Sequence, residues 1–162
     1  MVEKNQVRKE GEEQVVDLQQ QSISLEQQVA EATPFERVHL LMSGAIEKMG
    51  LAREALLNQN WLAMEEQLQK TVKIVEYLRL SLDKEIGQEF AQELDELYFY
   101  TLQQLALAKQ QRRSVLIEMA RNVMGQIAAV WKNGMEQWAL VEDQGGMIPH
   151  TLLCHIKPVV DH

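Results

Sequence analysis

Four stretches between Thr33 and Gly134, each roughly twenty residues long, carry apolar side chains at steps of three and four positions. That period lays one apolar face along a helix, and no strand-like alternation of apolar and polar residues competes with it. Only 8 glycines and 3 prolines interrupt the 162 residues. Helix is favoured almost throughout.

The helix boundaries can be read from individual side chains. Thr33-Pro34-Phe35-Glu36 has the form of a capping box, in which Thr33 accepts from the Glu36 N–H and the Glu36 side chain bonds back. Pro34 takes the first helical position, where its missing N–H costs nothing. The helix predicted from there runs to about Leu57, with Asn58-Gln59-Asn60 as a turn, and Asn60 caps a second from Trp61 to about Leu82. Ser81 to Gly87 reads as a connector and 88–109 as a third helix. A fourth is expected from a Ser114 cap to near Asn133-Gly134, where glycine is the usual C-terminal stop. Four such helices joined by short turns predict an all-α fold, an antiparallel up-down four-helix bundle.

Three regions follow: a flexible, amphipathic N-terminal segment over 1–32, a helical bundle domain over 33–134, and a C-terminal extension over 135–162. Val15, Leu18, Leu25 and Val29 form a weak stripe suited to lie across another surface. Leu152, Leu153, Ile156 and Val159 make the extension too apolar for a solvated terminus, so it is expected to dock on the bundle, with an extended form allowed.

Charge and composition narrow the function. A net charge of −8 argues against nucleic acid as a partner, since that affinity rests on clustered Lys and Arg. No apolar run approaches the ~18–20 residues that cross a bilayer, so no membrane insertion is expected. Cys154 is the only cysteine, which excludes an intramolecular disulfide and suits a reducing, cytoplasmic compartment.

No catalytic constellation emerges. Glu36-Arg37-Val38-His39 has the Glu-x-x-His spacing of di-iron bundles, but the second such pair that site requires is missing. His150, Cys154 and His155 cluster near His162 without the paired spacings of a zinc site, and read as incidental tail residues. No cofactor, no metal and no enzyme activity are expected.

The remaining anomaly is an apolar arc that is too wide. On the first helix, Val38, Leu41, Met42, Ala45, Met49, Ala52 and Leu56 make a core stripe, and Leu40, Gly44, Leu51 and Ala55, together with Ile46, extend it to roughly 240°. On the second, Met64, Leu68, Val72, Val75, Leu78 and Leu82 serve the core, while Ile74, Tyr77 and Leu80 fall outside it. The surplus is covered either by the chain's own termini or by another chain. Leu40, Gly44, Leu51, Ile74 and Tyr77 are the candidate partner-binding residues.

Val29-Ala30-Glu31-Ala32-Thr33-Pro34, Leu40-Leu41-Met42-Ser43-Gly44-Ala45-Ile46 and Ala52-Arg53-Glu54-Ala55-Leu56 resemble the opening of the FliS-type flagellar export chaperones. The likeness continues through Ser81-Leu82-Asp83, Gly87 and Leu94-Asp95-Glu96-Leu97-Tyr98-Phe99-Tyr100 to Trp131. Leu41-Met42-Ser43-Gly44 departs from the family's usual Leu-Tyr-Asp-Gly. Ser24 stands near its N-terminal tyrosine, and Gln104 stands where a basic residue is common.

The resemblance implies a cytoplasmic bundle that binds the disordered C-terminal segment of flagellin, prevents its premature polymerisation and helps deliver it to the export apparatus, whose gate components are further partners. The alternative reading is a divergent bundle that self-associates or binds another export component. The residues do not decide its oligomeric state.

Overall fold

The computed structural model of this chain describes residues 33–155. The N-terminal segment and stripe expected at 1–32, and the tail residues Ile156 and Val159, lie outside the described residues.

Four long helices form the expected bundle: α1 Pro34–Leu57, α2 Trp61–Leu80, α3 Lys84–Gln111 and α4 Ser114–Val141. A 3-10 turn, Glu142–Gln144, and a short helix α5, His150–Leu153, complete it, and no strand occurs among the described residues. Consecutive helices pack on each other and α4 closes against α1. The capping box is formed in both directions between Thr33 and Glu36. The Asn60 side chain accepts from the Ala63 N–H at the start of α2.

The core follows the predicted stripes with shifts of one position. Val38, Met42, Ala45, Met49, Ala52 and Leu56 are buried on α1, and Met64, Leu68, Val75 and Leu78 on α2. Val72 is only half-buried, because Thr71 turns inward and satisfies its hydroxyl on the Gln67 carbonyl. Leu41 and Leu82 also stand at the edge of the core. Four methionines, Met42, Met49, Met64 and Met124, are fully enclosed.

Three predicted boundaries change. The third helix starts at Lys84 because Asp83 caps it, its Oδ1 accepting from the Glu85 and Ile86 N–H groups at 3.1 Å. At Gln88 the backbone leaves helical geometry (φ 49, ψ −127), so the regular helix resumes beyond that residue, close to the start expected from sequence. Ser114 is not a cap; Arg113 holds that position without a side-chain bond.

Gly134 does not end the fourth helix, which continues to Val141. Its missing side chain instead makes room for the returning chain: a Cβ there would come 2.5 Å from Thr151 Oγ1 and 3.2 Å from Leu152 Cδ2. The extension does dock, through α5.

A candidate partner-binding surface and a pinned C-terminal segment

α1 and α2 form an antiparallel hairpin around Gln59, where φ is 59°. Gly44 and Ile74 are equidistant along the chain from that residue, so they stand at the same level of the hairpin. Leu40 falls beside the level of Tyr77 and Leu78. Leu51 and Tyr77 are about half open to solvent, at 45% and 49%. Leu40 is half-buried, Ile74 is half-buried against the core, and Gly44 is buried. The five candidates therefore share one hairpin, with two of them freely presented.

Other apolar surface lies elsewhere. A pocket of about 180 Å³ between α3 and α4 is lined by Phe90, Leu94, Leu97, Ile127, Val130 and Trp131, together with Glu93, Gln126 and Thr151. Leu97, 39% exposed, forms part of this wall. A broader groove between α2 and α3 is lined by Leu62, Leu68, Val72 and Leu105 together with Glu65, Glu66, Lys73, Glu76 and Lys109.

Of the tail residues that read as incidental, Cys154 and His155 are structural, His150 is exposed, and His162 lies outside the described residues. Leu152, Cys154 and His155 are fully enclosed, and the Asp83 N–H donates to the Cys154 carbonyl at 2.7 Å. His155 bridges two helices: Nδ1 lies 2.8 Å from Ser81 Oγ at the end of α2, and Nε2 lies 2.9 Å from the Tyr98 hydroxyl on α3. Its ring meets Trp131 of α4 edge-on, with 5.4 Å between centroids. Burial lowers the His155 pKa to about 4, against a smaller opposing effect from the Ser81 backbone. Burial, then the neighbouring Asp83 carboxylate, pushes the Cys154 thiol up to about 12, so it is neither a thiolate nucleophile nor a ready metal ligand. Nothing in the tail's spacing announced this cluster, since its partners come from three different helices.

The Glu-x-x-His pair is likewise committed. Glu36 closes the capping box, and His39 is half-buried, its pKa lowered by desolvation and then by Lys132. Among the described residues no three His, Cys, Asp or Glu side chains converge as a metal site, and no helix is long and apolar enough to cross a membrane.

Residues 17–138 match the family described as flagellar protein FliS, which covers most of the chain. The chain belongs to the FliS family. It is 31% identical over 113 residues to the flagellar secretion chaperone FliSB of Pseudomonas aeruginosa, covering 70% of this chain and 90% of that protein. It is 32% identical over 111 residues to flagellar secretion chaperone FliS of Salmonella typhimurium, covering 68% and 82% of the two chains. The Vibrio cholerae chaperone is 28% identical over 109 residues, covering 67% and 80%. As a FliS protein the chain is a flagellar secretion chaperone on a four-helix scaffold. The pinned segment after Trp138 lies beyond the family match.

Proposed function

We propose that this FliS protein acts in the cytoplasm, binds the disordered C-terminal segment of flagellin, keeps that segment from polymerising early, and hands it to the export apparatus. It works as a binding protein without chemistry of its own. The observation that carries this reading is the pairing of family membership with apolar side chains left on outer helix faces, Leu51, Leu62, Tyr77 and Leu97 among them. Such faces suit helix-in-groove recognition, in which a client presents apolar anchors at steps of three and four residues. Leu40, Gly44, Leu51, Ile74 and Tyr77 are assigned to one such surface on the α1–α2 hairpin.

The mechanism is coupled folding and binding. The client loses about 2–5 kcal/mol of the gross interaction energy to its own ordering, and burial of apolar surface drives the remainder. Calorimetric titration with the C-terminal segment of flagellin from the same organism tests this. One-to-one binding with a strongly negative heat-capacity change is expected. No binding by the full chain, nor after removal of residues 1–31, would defeat the proposal and favour self-association or another export component as the partner.

A further inference from the structure

The pocket between α3 and α4 is not a generic groove between neighbouring helices. Two helices supply its long walls, but Thr151 of the C-terminal segment is also part of its lining. That segment is held from several sides: His155 by Ser81 and Tyr98, the Cys154 carbonyl by the Asp83 N–H, and Leu152 against Gly134. Trp131, another wall of the pocket, donates its indole N–H to the Phe35 carbonyl at 2.9 Å and rests on the His155 ring. Both contributions are therefore fixed before any ligand arrives. The family match stops at residue 138, so Thr151 and His155 lie outside the part of the chain it covers.

Size and chemistry specify the occupant. A cavity of about 150 Å³ lined by Leu, Ile and Phe is large enough to take benzene. The 180 Å³ pocket therefore holds one phenyl- or leucyl-sized side chain rather than a length of helix. Among the described residues Glu93 is the only charged one in its lining and no basic one accompanies it, so a basic residue beside the anchor on the incoming chain is its complement.

We propose that this pocket, completed by residues 149–155, is an anchor site for a single large apolar side chain, aromatic or leucine, in the exported client, set beside a basic residue of that client. The proposal rests on the chaperone reading for the identity of the client but not for the existence of the site. Anchors of this kind, seated in a preformed pocket, carry a large share of binding energy in other interfaces.

Two titrations of the full chain test it. In the first, toluene is the probe and the Trp131 indole N–H resonance is the readout. A saturable shift in the wild type, lost when Val130→Trp fills the pocket from its open side, is expected. Val130 is 45% exposed, so this substitution leaves the core in place, and an unchanged melting temperature checks that.

In the second, the flagellin C-terminal segment is the probe. Affinity falls about tenfold or more in Val130→Trp, and less steeply in Glu93→Gln. Absence of a saturable toluene shift in the wild type overturns the proposal. So does equal client affinity in wild type and Val130→Trp, which leaves the chaperone reading standing. Toluene binding without any client binding by the wild type overturns the chaperone reading and, with it, this choice of occupant.

Discussion

The Nε2 of His155 accepts a hydrogen bond from the Tyr98 hydroxyl 2.9 Å away, and the tautomer behind that direction is determined by a third residue. Ser81 spends its hydroxyl proton on the Leu78 carbonyl at 2.8 Å. Its oxygen can then only accept, so the nearby Nδ1 of His155 carries the ring proton and Nε2 is left as an acceptor. A second proton on the ring would take that acceptor from the Tyr98 hydroxyl and bury a charge in a closed space.

This arrangement predicts acid sensitivity with a definite sign. The folded pKa of about 4 lies below the ordinary 6.5, so the unfolded chain binds more protons between these values. The stabilisation is complete above pH 6.5 and is lost as pH falls towards 4, by about 3 kcal/mol in total. Thermal melts across this range should show a steeper loss for the wild type than for His155→Phe, which has nothing to titrate there. Equal slopes would refute the assignment.

Tyr98→Phe isolates the other half of the bond. The ring is retained and Nε2 is left buried without a donor, at a cost of about 1–3 kcal/mol. Denaturant titration at pH 7.5 measures it. An unchanged midpoint would mean that Nε2 has another partner.

Two glycines of α4 should respond oppositely to alanine. A Cβ on Gly125 meets nothing within 4 Å, so Gly125→Ala is expected to stabilise the helix by about 0.5–1 kcal/mol. At Gly134 the same change collides with Thr151 and Leu152 and loosens the C-terminal segment. Alkylation of the buried Cys154 thiol reports that loosening. It should accelerate in Gly134→Ala and not in Gly125→Ala.

Tyr77 separates binding from stability. Half exposed on α2, it should be replaceable by Asp with a stability change within about 0.5 kcal/mol, while affinity for the flagellin segment falls. Val75→Asp is the contrasting control: its side chain is fully enclosed, and an unpaired charge there should unfold the bundle. Val72→Asp is expected to be milder because Val72 stands at the core's edge. Circular dichroism and calorimetry on the three variants decide this.

The scaffold was legible where its signals are local. Thr33 with Glu36, and Asn60 with Ala63, fix helix starts through contacts three residues apart, which a sequence displays directly. The failures share a non-local cause. Gly134 looks like a terminator until Leu152 is found resting on it, and Asp83 looks like a linker residue until its N–H is seen on the Cys154 carbonyl. His155 offered no clue, because Ser81, Tyr98 and Trp131 meet only in three dimensions. For the candidate surface, helical periodicity identified surplus apolar residues but not their exposure. Ile74 and Tyr77, both off the predicted stripe, end up half-buried and open respectively.

The four enclosed methionines give the bundle a particular response to oxidants. Met147, 86% exposed, and Met119, 40% exposed, meet peroxide first, whereas Met42, Met49, Met64 and Met124 are shielded while the helices stay closed. Sulfoxide formation at those four would place a polar group in the interior and prevent the helices from closing again. Each opening under oxidative stress thus carries a risk of permanence, and any ligand that holds the helices shut would also act as an antioxidant for its own chaperone.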